Sequence, residues 1–108
     1  MSDKIKHLDD LNFKDETAKG VTLVDFYADW CGPCRMMTPV IEEFAEKRNG
    51  SVVVGKVDID ASPAVTQQFG VTSVPTLILL NDGEPVGTFV GLKDLPQLEG
   101  LVDSALGQ

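Results

Sequence analysis

Apolar residues recur along the chain with two periods that alternate. The run Val21-Thr22-Leu23-Val24-Asp25-Phe26-Tyr27 is short, β-branched and aromatic, and is bounded by Gly20 and by Cys31-Gly32-Pro33. Such a run predicts a buried, central strand. After it, Met37, Val40, Ile41, Phe44 and Ala45 fall at helical spacing up to Asn49-Gly50, a C-terminal stop signal, with Pro39 inside the pattern. A long helix kinked near Pro39 is predicted. A second strand over about residues 52–59 gives way to Ser62-Pro63, a helix N-cap with proline in the first turn, and to a short helix ending at Gly70. Strand, helix, strand and helix in succession call for right-handed crossovers and a parallel sheet covered by helices on both faces.

The second half changes character. Residues 76–80 and 86–90 are strand-like runs around the tight turn Asn81-Asp82-Gly83-Glu84, which predicts an antiparallel hairpin. Leu95, Leu98, Val102, Ala105 and Leu106 then lie along one face of an amphipathic helix, with Asp94 placed to cap it. At the start, residues 4–8 read as an edge strand, and Asp9 or Asp10 as the cap of a helix carrying Leu11 and Ala18. The fold class is therefore α/β, and no internal repeat, low-complexity tract or linker interrupts it.

Size and charge narrow the function. The chain has 108 residues, and domains commonly run to ~100–150 residues, so residues 1–108 are expected to form one domain. With 43% hydrophobic and 24% charged residues the composition is that of a soluble globular protein, not a disordered one. Nine Lys and Arg against seventeen Asp and Glu leave a net charge of −8. That charge repels phosphate backbones and anionic headgroups, so neither nucleic acid nor a membrane surface is an expected partner. Met1-Ser2-Asp3-Lys4 lacks the apolar core of a signal peptide, and no stretch reaches the ~18 apolar residues of a spanning helix, so a cytoplasmic location is expected.

The chemistry lies in the two cysteines, which sit three residues apart. Trp30-Cys31-Gly32-Pro33-Cys34 spans the junction where the central strand ends and the long helix begins. Cys31 is expected near the N-cap and Cys34 in the first turn, with Cα atoms ~5–6 Å apart, inside the range a disulfide requires. The helix N-terminus carries partial positive charge and free N–H groups, which stabilise a thiolate at Cys31 and make it the nucleophile. Cys34, one turn deeper and better shielded, suits attack on a mixed disulfide from within. A purely structural disulfide is the plainer alternative, yet closing so small a loop stabilises the fold by only on the order of 2 kcal/mol. A zinc site needs about four ligands, and only these cysteines and His7 are soft candidates, so no metal is expected. His7, between Lys6 and Leu8, reads as a surface residue and not as a general base. Asp25 is either a solvated strand-end residue or a buried one. If buried, its pKa is raised by desolvation and it can exchange a proton with Cys34 through a water.

These residues resemble the thioredoxin family. The resemblance rests on Trp30-Cys31-Gly32-Pro33-Cys34 after an apolar strand bearing Asp25, on Val74-Pro75-Thr76 opening a third strand, on Gly83 in the hairpin and on Gly91 after the next strand. It covers the chain from about residue 21 to the end. It departs at Tyr27, where many members carry tryptophan, and in the stretch 11–19, which looks shorter than usual. The family implies a thioredoxin fold: a five-stranded mixed sheet, parallel in its N-terminal part and closed by the antiparallel hairpin, flanked by about four helices. It implies reduction of protein disulfides through a Cys31/Cys34 dithiol–disulfide cycle with no bound cofactor, return to the dithiol by a thioredoxin reductase, and a monomer.

The family also strengthens the proton-exchange role for Asp25 and places a lysine near the buried acid. That makes Lys56, on one strand face with Val52, Val54 and Asp58, its electrostatic partner instead of a solvated lysine. From the residues alone Pro75 could be a trans strand-start residue; the family makes the Val74–Pro75 bond cis and sets it beside the cysteines. Trp30, Gly32, Pro33, Val74, Pro75 and Gly91 would then form a flat apolar docking patch around the Cys31 sulfur, although Trp30 could instead be core and Gly91 a plain turn residue. An oxidase or isomerase of the same fold is the nearest rival, and Gly32-Pro33 between the cysteines favours the reductant. A redox-independent binding module using the same apolar surface is the rival from another class.

Overall fold

The computed structural model describes residues 4–107; Met1 to Asp3, part of the segment read as lacking a signal peptide, lie outside the described residues. In chain order the elements are β1 (Ile5–Leu8), α1 (Phe13–Glu16), β2 (Val21–Tyr27), α2 (Gly32–Lys47), β3 (Val53–Asp58), α3 (Pro63–Gln68), β4 (Thr76–Asn81), β5 (Glu84–Val90) and α4 (Leu95–Ala105). They build one five-stranded mixed sheet in the order β1-β3-β2-β4-β5. The β1–β3 and β3–β2 pairs are parallel, and β2–β4 and β4–β5 are antiparallel. β2 thus lies at the centre, at the point where the sheet changes from parallel to antiparallel, as its largely apolar run favours.

Alternation along the strands sorts the side chains into two cores. On one face Leu23, Val54, Leu77 and Leu79 pack with Met37, Ile41 and Phe44 of α2 and with Leu98 and Val102 of α4. On the other, Val24, Phe26, Val57, Ile78 and Leu80 pack with Phe13 of α1 and Val65 of α3. Asp25 falls on the α2 face, in register with Lys56 of β3 on one side and Leu77 of β4 on the other. The hairpin turns through Asp82 and Gly83, both at positive φ (51° and 84°), the combination a two-residue type I′ turn demands.

The sequence reading needs correction at the first and third helices. α1 is only four residues long, starts after Asn12, and carries neither Leu11, which is exposed, nor Ala18. Asp9 does cap the turn that leads into α1: its Oδ1 accepts from the N–H groups of Leu11 and Asn12, its own N–H donates to Asn12 Oδ1, and its carbonyl accepts from Phe13 N. Asp10 caps a different helix: its carboxylate accepts from Ala64 N at 3.2 Å and Val65 N at 2.9 Å in α3. Ser62, the expected cap of α3, stands at the N-cap position but makes no capping hydrogen bond. α4 is capped as expected, by a reciprocal Asp94–Gln97 capping box. α2 runs unbroken through Pro39.

Candidate active site

Cys31 is the N-cap of α2 and Cys34 lies in its first turn, so the two meet because the helix begins where it does. They are joined as a disulfide with Cα atoms 5.3 Å apart. The Cys34 N–H donates to Cys31 Sγ at 3.1 Å, a capping bond with sulfur in place of oxygen. Pro33, within the same turn, has no N–H to offer. The expected contrast in shielding is absent: Cys31 and Cys34 are 5% and 4% exposed. Cys31 is covered because Val74 lies over it, the Val74 carbonyl oxygen 3.8 Å from its sulfur. What distinguishes the pair is direction: Cys31 faces the Val74 loop, whereas Cys34 lines a pocket of about 140 Å³ with Tyr27, Arg35 and Lys56.

The residues expected to form a docking patch converge from three segments. The Val74–Pro75 bond is cis, with Val74 half-buried and Pro75 buried. Gly91 N donates to Pro75 O at 2.9 Å, tying the end of β5 to this loop, and Gly91 has φ 94°, a conformation glycine takes without strain. Trp30 is no core residue: it is 68% exposed, and its Nε1 donates to Asp60 Oδ2 at 2.9 Å. Gly32 is half-buried and Pro33 exposed. The sequence reading missed Asp60, and it missed Met36 and Leu92, exposed apolar side chains that share a shallow groove beside this surface. The signal for Met36 was available, since it falls one residue off the α2 stripe on which Met37 is buried.

Asp25 is fully buried, and both carboxylate oxygens lack a hydrogen-bond partner among the described residues. Burial pushes its pKa up to about 6, and the nearby Lys56 ammonium draws it partway back. Along β2 it sits between Leu23, which packs in the core with Met37 and Ile41 of α2, and Tyr27, which packs against the cluster of Ala28, Cys31 and Cys34. The carboxyl thus lies beneath the first turns of α2. Lys56 is Asp25's register neighbour, but its ammonium is turned to the Tyr27 ring, Nζ 4.5 Å from the centroid. His7 is exposed on β1.

Comparison with known proteins agrees with this geometry. The thioredoxin family model matches residues 4–104. The chain is similar to a thioredoxin of Chlamydia muridarum, 54% identical over 91 residues, which is 84% of this chain and 88% of the relative. It is also similar to thioredoxins of Staphylococcus saprophyticus, 44% identical over 97 residues (90% and 93% of the two chains), and of Listeria monocytogenes, 41% identical over 99 residues (92% and 96%).

Proposed function

Because the chain belongs to the thioredoxin family, a thiol–disulfide oxidoreductase that reduces protein disulfides, we propose a division of labour within its Cys31/Cys34 centre. The observation that carries it is the bonded pair at the start of α2, with Cys31 at the cap, Cys34 in the first turn beside Lys56, and the buried Asp25 on the sheet face that α2 covers. In the dithiol form the Cys31 thiolate, favoured by the helix N-terminus, attacks one sulfur of a substrate disulfide; that S–S bond breaks, and the departing substrate sulfur takes up a proton. Asp25 accepts the Cys34 proton, and the Cys34 thiolate attacks Cys31 Sγ. The Cys31–substrate bond breaks, the second substrate sulfur leaves as a thiolate that takes up a proton, and the Cys31–Cys34 disulfide holds the two electrons' worth of oxidation. Lys56 supplies the positive charge that keeps ionised Asp25 accessible near neutral pH.

Trp30, Gly32, Pro33, Val74, Pro75 and Gly91 form the docking surface, where an extended substrate segment runs beside the Val74–Pro75 backbone. The family implies disulfide-bearing proteins as substrates and a thioredoxin reductase as the source of electrons. We further read residues 1–108 as one domain, monomeric and cytoplasmic; two cores closed within one chain support the first, and no helix among the described residues is long and apolar enough to cross a membrane.

Trapping tests the division of labour. Cys34→Ser should accumulate a stable mixed disulfide with a protein substrate, visible on a non-reducing gel, and Cys31→Ser should trap none. The reverse pattern would exchange the two roles. A Cys31→Ser, Cys34→Ser double variant that kept full function would favour a redox-independent binding module.

A further inference from the structure

Tyr27 is the next side chain outward from Asp25 on the same face of β2. The Lys56 ammonium lies 4.5 Å from its ring centroid, inside the ~6 Å reach of a cation–π contact. Among the described residues the Asp25 oxygens take no hydrogen bond, so the contact that the ammonium makes is with the ring. Ring and ammonium both line the pocket that holds Cys34.

We propose that Tyr27 is a positioning residue for the exchange reaction: its ring holds the Lys56 ammonium in the pocket beside Cys34 and so sets the field at the Asp25 carboxyl. The proposal rests on the reading of Asp25 as the proton acceptor. The charged neighbours leave the ring as the group that retains Lys56. From β3, Asp58 faces the phenol, as does Asp29 from the loop after β2; burial first, then these two and Asp25, push the phenol's pKa up, so the ring is neutral at physiological pH. From α2, Arg35 turns its Nη1 to the Asp29 carbonyl at 2.8 Å. From β1, His7 is the register partner of Lys56 and is exposed, and from β4 the register partner of Asp25 is the apolar Leu77. Without the ring the ammonium loses that contact, and the pull of the Asp25 and Asp29 charges alone competes with full hydration. The ammonium moves into water, where its charge is screened from the buried carboxyl.

The test follows the Asp25 carboxyl-carbon NMR signal of the oxidised protein against pH. Lys56→Met should move the midpoint up, and Tyr27→Leu should move it the same way by a smaller amount, roughly 0.3 to 0.7 pH unit. Tyr27→Phe, which keeps the ring and removes the hydroxyl, should stay near the parent. Tyr27→Leu added to Lys56→Met should move it no further. Should Tyr27→Leu not fold, Tyr27→Met carries the same expectation. An unmoved or lowered midpoint in Tyr27→Leu overturns the proposal, as does an equal shift with Lys56 already gone, which would make the ring a wall against solvent and nothing more. The proton-acceptor reading fails separately: if Asp25→Asn resolves the Cys31 mixed disulfide at the parent rate at every pH, Asp25 takes no proton, and the use made of Tyr27 falls with it even where the NMR coupling is present.

Discussion

A carboxylate with no hydrogen-bond partner in the middle of a sheet opposes folding whenever it is ionised. Asp25 binds its proton up to about pH 6 in the folded protein, against an ordinary value of 3.8. Between those two values the folded state holds more protons than the unfolded one, so stability falls as pH rises through that window and nothing is lost below it. The gap corresponds to about 3 kcal/mol at pH values above the folded pKa. Asp25→Asn should therefore gain more over the parent at pH 8 than at pH 4, read from denaturant midpoints of both proteins in the oxidised form, and should slow turnover on a protein disulfide. Equal differences at both pH values with unchanged turnover would make Asp25 a bystander. At this scale the sequence was informative wherever a residue broke its own pattern: Asp25 is a charge in an apolar run, and the cysteines are a pair at a strand–helix junction. It was silent on the Tyr27–Lys56 contact, because a lysine in a strand looks the same whether its ammonium meets water or a ring.

Elements that cap themselves were legible, and those capped from a distance were not. Asp94 and Gln97 lie three residues apart and form the box their spacing predicts. The α3 cap comes from Asp10, more than fifty residues away in sequence, and no local pattern announces such a pairing. Ser62 holds the position expected of a cap, yet its buried Oγ has no partner among the described residues. The two residues should then behave oppositely to their sequence signals. Asp10→Ala should cost about 1 kcal/mol, as the loss of a capping side chain does, while Ser62→Ala should stay within about 0.5 kcal/mol of the parent or stabilise it slightly. Thermal or denaturant unfolding of the two variants decides the matter; a larger loss at Ser62 than at Asp10 would restore Ser62 as the working cap.

For the molecule as a whole, the place of the site follows from topology. β2 pairs with β3 in parallel and with β4 in antiparallel fashion, and α2 leaves from its end, so the cysteines stand at the C-terminal edge of the sheet where strand direction changes, the kind of position at which α/β sheets carry their sites. The alternation of strand and helix and the Asp-Gly hairpin made that arrangement legible, while the meeting of Cys31, Val74-Pro75 and Gly91 from three separate segments was accessible only through the family resemblance. The direction of electron flow is also a property of the whole fold, because folding and redox state are linked. Whatever the Cys31–Cys34 bond adds to folding stability lowers the potential of the native couple relative to the unfolded chain, and a strong oxidant is one whose reduced form is the stabilised one. Here the pair is closed at the start of α2, with 5.3 Å between Cα atoms, inside the ordinary range for a disulfide. The Cys31 sulfur receives one N–H in the first turn, from Cys34, and Pro33 removes another, which limits how well a thiolate is held. The oxidised protein should therefore be the more stable form, by on the order of 2 kcal/mol for so short a loop, which places the native couple about 40 mV below that of the unfolded chain. Denaturant midpoints of the oxidised and fully reduced protein measure the difference directly. A reduced form as stable as the oxidised one, or more so, would mean that the fold favours the dithiol, and the rival of an oxidase built on this fold would replace the reductase.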